Sequence, residues 1–106
     1  MAGAATPTAA LAALADPTRQ QILELLSEHG PQSASALAAR LPITRQAVAK
    51  HVRVLADAGL VHGGRDGREV VFDLVADGAA DAASWLAATA DRWQQRIDRL
   101  HRLVDS

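Results

Sequence analysis

The amino-acid sequence predicts a mainly α-helical chain with a small β-hairpin and a long C-terminal helix. Apolar residues make up 49% of the 106 residues and only three are aromatic, so alanine, leucine and valine dominate the expected core. Alanine and leucine favour helices. The hydrophobic period changes from helical to alternating after Gly59, and a seven-residue repeat follows in the C-terminal segment. The length suits a single domain.

Two short helices are expected first. A disordered lead of residues 1–7 is predicted to precede a helix at about residues 8–15. Asp16 and Pro17 then suit the N-cap and the first position of a second helix, because Asp accepts free backbone N–H groups and Pro needs no hydrogen-bond partner there. Gly30 ends this second helix.

A helix-turn-helix is predicted next. Ser33 is expected to cap a third helix that Pro42 ends, and Thr44 to cap a fourth over residues 44–58, with Gly59 just past its end. At about 100° per residue the fourth helix has one apolar stripe, which consists of Val48, Val52 and Leu55. Two helices joined by a short turn form the helix-turn-helix motif.

The other side of the fourth helix is polar and basic. Gln46, Lys50 and Arg53 face away from the stripe, while Arg45 and Ala49 lie between the two sides near the helix start. In the major groove of DNA, Arg reads guanine, Gln reads adenine, and Lys meets phosphate or guanine. We therefore predict base contacts for Arg45 and Gln46, and phosphate contacts for Lys50 and Arg53.

A β-hairpin, or wing, is predicted at residues 61–75. Residues 60–62 are expected to be extended and the glycine-rich residues 63–67 to form the turn. Polar and apolar residues alternate over residues 69–74, which predicts a half-buried strand. The arrangement as a whole is a winged helix-turn-helix over residues 8–77.

Further candidate contacts with DNA come from the wing tip and from a histidine. Arg65 and Arg68 flank the tip, and one of them is expected to meet the backbone or a narrow minor groove; the alternative is a charged turn that only aids solubility. His51 lies at the edge of the buried stripe, where a packed or hydrogen-bonded role is expected first and a phosphate contact second. The complete predicted DNA-binding set is Thr44, Arg45, Gln46, Ala49, Lys50, His51, Arg53, Arg65 and Arg68.

The last segment, residues 78–106, is predicted to form one long dimerisation helix packed with the N-terminal helix. Its apolar residues repeat at the a and d positions of heptads, namely Leu86, Ala90, Trp93, Ile97, Leu100 and Val104. This stripe can pack on its own domain or on a second copy of the chain. A second copy is favoured because a single small domain would leave much of the stripe exposed to water. Leu11 and Leu14 are expected to join the dimer interface.

Charge is distributed unevenly along the chain, although the net charge is only −1. Residues 40–68 carry six basic and two acidic side chains, and residues 69–106 carry four basic and seven acidic ones. A basic middle before an acidic tail is typical of a DNA-binding surface set apart from another surface. The alternative is solvated charge with no partner.

Three motifs carry a resemblance to a known family. They are residues 14–23 (LADPTRQQIL), residues 47–55 (AVAKHVRVL) with AGLV at 58–61, and residues 67–74 (GREVVFDL). Together they resemble the ArsR family of bacterial winged-helix transcriptional repressors. The resemblance implies a homodimer that pairs through its first and last helices, binds operator DNA and releases it when a metal or another inducer arrives.

The metal sites of that family do not carry over to this chain. Its arsenic- and cadmium-sensing members need cysteines on the helix before the recognition helix, and this chain has no cysteine. Its zinc-sensing members need an Asp-x-His pair with a later His and Glu, whereas only Asp98 and His101 occur here. Ala49 also stands where the family often has Ser. We expect no metal and no cofactor, and the inducer is not identified.

The leading functional hypothesis is a dimeric repressor that binds a pseudo-palindromic operator through the helix at 44–58 and the wing at 61–75. The alternative is a winged-helix dimerisation or protein-interaction module without DNA binding, which would not need Arg45, Gln46, Lys50 and Arg53 on one face. No catalytic cluster is present, so an enzyme is not expected. No apolar run of membrane length and no signal peptide occur, so a cytoplasmic protein without a membrane partner is expected.

Overall fold

Five helices and a three-stranded antiparallel sheet make up the computed structural model, which describes residues 6–105. The elements are α1 (Pro7–Leu14), α2 (Pro17–His29), β1 (Gln32–Ser33), α3 (Ala34–Ala38), α4 (Arg45–Asp57), β2 (Val61–Asp66), β3 (Glu69–Leu74) and α5 (Ala76–Asp105). The longest dimension is 68 Å. Most of it reflects the 30 residues of α5, which span about 45 Å. The predicted fold class is confirmed.

Side-chain caps set the starts of the first two helices. The Thr6 hydroxyl accepts a hydrogen bond from the Ala9 backbone N–H, so α1 begins at Pro7, one residue before the predicted start. The remaining residues of the predicted disordered lead, 1–5, lie outside the described part of the chain. Asp16 caps α2 as predicted, because its carboxylate accepts the backbone N–H of Arg19 at 3.0 Å.

The core lies where α2, α3 and α4 meet. Its largest fully buried side chains come from these three helices, and they are Ile22, Leu26, Leu37, Val48, Val52 and Leu55. Leu41 and Phe72 are partly buried against this cluster. The helical spacing of apolar residues in α4 therefore predicted correctly which of its side chains join the core, and these side chains hold α4 against the other two helices.

The wing differs from the prediction in its length and in its turn. β2 continues to Asp66, and Gly63 and Gly64 pair with β3 inside the ladder instead of forming the turn. Glycine accepts extended as well as turned backbone, so its presence alone did not locate the turn. The chain reverses instead at Gly67, where φ is +66°, and at Arg68, the two residues between the strands.

A third strand was not predicted. Gln32 and Ser33 pair with β3, opposite Phe72 and Val71, so β3 is central in the order β1-β3-β2. Two residues are too short to show a period in a sequence. Ser33 also caps α3 as predicted, because its hydroxyl accepts the Ala36 backbone N–H at 3.1 Å.

The predicted burial of alternate residues in β3 is only partly correct. Phe72 packs against the core, but Val70 and Leu74 are 46% and 39% exposed. The reason is that the core of the described chain covers this face of β3 only around Phe72. From Phe72 toward the turn at Gly67, the hairpin extends into solvent.

The C-terminal helix contacts the body only along its first half. Ala82 and Thr89 are buried on the side that packs against α1. The backbone N–H of Gly78 donates to the carbonyl of Gly59 at 3.1 Å, which joins the start of α5 to the end of α4. Every side chain over residues 90–105 is exposed in the chain as it stands.

Candidate DNA-binding surface

The candidate recognition helix, α4, is anchored at both ends. The Thr44 hydroxyl accepts the backbone N–H of Ala47 at 3.1 Å, as the predicted N-cap requires. At the other end Gly59 has φ +74°, and the Leu60 N–H donates to the Leu55 carbonyl at 2.9 Å. This closes the free carbonyls of the last turn. The helix therefore presents its outer face at a fixed angle to the body.

That outer face carries the polar residues that the sequence assigned to it. The exposed residues near and along α4 include Thr44, Arg45, Gln46, Ala49, Lys50 and Arg53. The stripe on the opposite side is fully buried, with Val48, Val52 and Leu55 at 0, 2 and 0% exposure. No described residue lies within ion-pair distance of Lys50 or Arg53, so both cations are available to an external anion.

A cleft joins the start of α4 to the wing. It has a volume of about 400 Å³ and lies between α3, α4 and β3. Arg45 and Arg68, which the sequence placed on separate elements, both line it together with Ser35 and Glu69. Arg65 lies outside this cleft on β2, opposite Val70. The surface is therefore continuous from the recognition helix to the wing turn.

His51 is partly buried and faces the inside of the molecule. Its Nδ1 lies 3.4 Å from Nη1 of Arg19. The same guanidinium donates from Nε to the Ala13 carbonyl at 2.7 Å and from Nη2 to the Ala12 carbonyl at 3.2 Å. Arg19 thus connects the end of α1 to α4, a role that spacing in the sequence did not reveal.

The charge of Asp16 supports this junction. Its carboxylate accepts the backbone N–H of Arg19, and this hydrogen bond lowers the pKa of Asp16 below its usual value. The backbone of Thr18 and the positive charge of Arg19, 3.8 Å away, lower it further, whereas desolvation opposes the shift. Asp16 is therefore ionised at neutral pH and holds the start of α2.

The predicted dimer stripe is largely uncovered by the chain itself. Leu86, Trp93, Ile97, Leu100 and Val104 are 48, 66, 44, 57 and 72% exposed, and Ala90 is exposed as well. Leu11 and Leu14 are partly buried against the chain's own core. The alternative of a stripe packed on its own domain does not match this exposure. Large apolar surfaces of this kind mark protein interfaces.

Metal-binding side chains are dispersed in the described structure. Asp98 accepts a hydrogen bond from Gln94 at 2.9 Å, one helical turn before it. Residues 6–105 contain no group of three or more His, Asp or Glu side chains placed to hold a metal ion.

In the same range, no helix combines the length and the apolar character that crossing a bilayer requires.

Fold and surface together define a winged helix-turn-helix DNA-binding protein. A family model described as a helix-turn-helix domain matches residues 14–63. The HTH-type transcriptional regulator Rv2034 of Mycobacterium tuberculosis is 38% identical over 102 residues, which cover 95% of this chain and 91% of the relative. The chain is therefore a relative of HTH-type transcriptional regulators.

Solved structures support this assignment. An ArsR-like transcriptional regulator from Rhodococcus sp. RHA1 is 36% identical, with a TM-score of 0.85 over 93% of this chain and 90% of the other. A homodimeric winged helix-turn-helix DNA-binding domain from Mycobacterium bovis, a possible ArsR-family regulator, is 25% identical, with a TM-score of 0.63 over 79% of this chain and 77% of the other. The chain belongs to the ArsR-like family of helix-turn-helix transcriptional regulators, as the resemblance predicted.

Proposed function

We propose that this regulator is a homodimeric repressor that binds a pseudo-palindromic operator in the cytoplasm. The observation that carries the proposal is the exposed polar face of α4, which has Gln46, Lys50 and Arg53 directed outward from a fully buried stripe. A protein-interaction module without DNA binding has no use for this combination. The body of the chain before α5 acts as the DNA-binding unit and α5 (Ala76–Asp105), which begins two residues before its predicted start at 78, acts as the dimerisation helix.

Base reading falls to the first turn of α4, which is the part of a recognition helix that reaches base edges. Gln46 is exposed there, and its amide can donate to and accept from adenine. Lys50 and Arg53 lie farther along the helix and bind phosphates. A bidentate Gln–adenine contact contributes roughly 1–3 kcal/mol of discrimination against the wrong base.

Dimerisation follows from the stripe on α5. Trp93, Ile97 and Leu100 are 44–66% exposed in one copy, and a second copy of α5 provides a matching apolar surface. Covering this stripe contributes about 25 cal/mol per Å² of apolar area removed from water. Two-fold pairing through α5 would place two α4 helices roughly 34 Å apart, which is one DNA turn. That the similar M. bovis domain is homodimeric supports the pairing of two copies.

The DNA-binding proposal is tested with the region upstream of the chain's own gene. Footprinting locates the operator, and gel shifts at several salt concentrations compare it with random DNA. Gln46→Ala should lose affinity for the operator and keep its affinity for random DNA. Lys50→Ala is the matched control on the same face and should weaken both by the same factor. Absence of any salt-dependent binding would favour the interaction module.

The dimer is tested by sedimentation equilibrium at micromolar concentration. Ile97→Glu places a charge in the stripe and should give monomers with weaker operator binding, because half-site affinities no longer combine. Ala88→Glu adds the same charge on the opposite side of α5, at an exposed position, and should stay dimeric. A monomeric wild type, or a dimeric Ile97→Glu that binds DNA normally, would contradict this part of the proposal.

A further inference from the structure

We propose that Arg45 and Arg68 hold one and the same backbone phosphate of the bound DNA, in the cleft between α3, α4 and β3. The inference rests on the proposed function and assigns a role that differs from the sequence prediction for Arg45. In that prediction Arg45 reads a base. In the structure it lines a cleft shared with the wing, and this leaves Gln46 as the base-reading residue of the first turn.

The cleft is large enough to admit a phosphate group of the DNA backbone. Its volume is about 400 Å³, and its walls come from three elements that meet only in the folded chain. Ala49 lines it with no more than a methyl group, so the start of α4 leaves space in front of Arg45. Ser35 adds an exposed hydroxyl that can donate to a phosphate oxygen.

The electrostatics favour an anion. Arg45 and Arg68 supply two positive charges and Glu69 supplies one negative charge, so the cleft is net positive. Within the described chain neither guanidinium has a carboxylate oxygen closer than 4.0 Å, and neither makes a side-chain hydrogen bond. Guanidinium groups bind phosphate oxygens through paired N–H donors. Two arginines without partners that line one cleft can therefore bind the same phosphate.

This arrangement has a mechanical consequence for DNA recognition. Arg45 belongs to the recognition helix and Arg68 to the wing turn, so a shared phosphate ties both elements to one point of the DNA backbone. Phosphate contacts set the register and orientation of a protein on the duplex. This contact of Arg45 and Arg68 with one phosphate, called the clamp below, would fix how far the first turn of α4, with Gln46, enters the groove.

The test is a scan of the footprinted operator with single methylphosphonate linkages, each of which removes one backbone charge. We expect one position per half-site at which a neutral linkage lowers wild-type affinity several-fold. At that same position the linkage should lower the affinity of Arg45→Ala and of Arg68→Ala by a smaller factor, and that of the double variant hardly at all. Arg53→Ala is the matched control, because Arg53 is an exposed arginine of α4 outside the cleft. It should remain sensitive at that position.

Salt dependence provides a second measurement. The slope of log affinity against log salt falls by about 0.9 for each phosphate that the protein no longer neutralises. Removal of both arginines should lower the magnitude of this slope by about 0.9 per half-site if they share one phosphate, and by about 1.8 if they bind two separate phosphates. Circular dichroism should be unchanged, since both side chains are exposed.

Two outcomes overturn the clamp. In one, Arg45→Ala and Arg68→Ala become insensitive at different linkages. In the other, Arg45→Ala weakens binding to the operator but not to random DNA, which would make Arg45 a base reader. In either case the wild type still binds its operator, so the clamp fails and the proposed function stands. A wild type that binds no DNA overturns both.

Discussion

Replacing Gly78 with alanine should weaken the junction between the dimerisation helix and the recognition helix. Gly78 is buried in the first turns of α5, directly against the chain that follows α4. An added Cβ would lie 2.6 Å from the carbonyl oxygens of both Ala58 and Gly59. Both oxygens belong to the backbone, so no side chain can rotate away. The start of α5 must move by at least a few tenths of an ångström.

The size of the effect follows from three contributions. Overpacking of this kind costs typically about 1–3 kcal/mol. The Gly78 N–H to Gly59 carbonyl hydrogen bond, 3.1 Å long, is stretched by the same movement, and its loss costs about 1 kcal/mol. The higher helix propensity of alanine stabilises the folded state by at most about 1 kcal/mol. The expected net loss is about 1–3 kcal/mol, opposite in sign to Gly→Ala at an open helical position.

Thermal unfolding at fixed protein concentration measures this loss. A loss of about 1 kcal/mol lowers the midpoint by about 4–8 °C in a domain of this size. Gly64→Ala is the matched control, because a Cβ at Gly64 meets nothing within 4 Å, and its midpoint should change little. Operator affinity of Gly78→Ala should also fall, since α5 no longer sits correctly behind α4.

An unchanged or higher midpoint for Gly78→Ala would refute the reasoning. It would mean that the backbone after α4 yields without cost and that the helix propensity of alanine decides the sign. A lower midpoint together with normal operator affinity would show that the junction stabilises the fold but does not position the recognition helix.

Three further predictions concern the α1–α2 junction and metals. Asp16→Asn keeps an acceptor for the helix cap but removes the charge. Because folding lowers the pKa of Asp16, the wild type should be more stable than the variant in urea unfolding above about pH 4, and this difference should shrink as the pH falls through the lowered pKa. A difference that stays constant with pH would contradict this. Arg19→Ala removes two hydrogen bonds to carbonyls of α1 and should cost about 2 kcal/mol of unfolding free energy. Arg19→Lys should not rescue it, because a single ammonium cannot reproduce the paired donors of the guanidinium. Zinc titrated into the protein–operator complex should not release DNA; release at micromolar zinc that His101→Ala abolishes would show a metal site after all.

The sequence alone determined what depends on near neighbours in the chain. The N-caps at Asp16, Ser33 and Thr44 act across three residues, so their residue types predict helix starts closely. The apolar spacing of α4 determined its buried and exposed faces for the same reason. The heptad repeat of α5 predicted an apolar stripe that the fold leaves uncovered.

The tertiary structure decided what depends on residues distant in the chain. The strand β1 exists only because β3 offers a free edge, and β2 extends through Gly63 and Gly64 because cross-strand pairing, not local preference, selects their backbone. Arg19 reaches His51 across 32 positions, and Arg45 and Arg68 line the same cleft. Such contacts arise when packing brings separate elements together, and no local pattern encodes the distances between them.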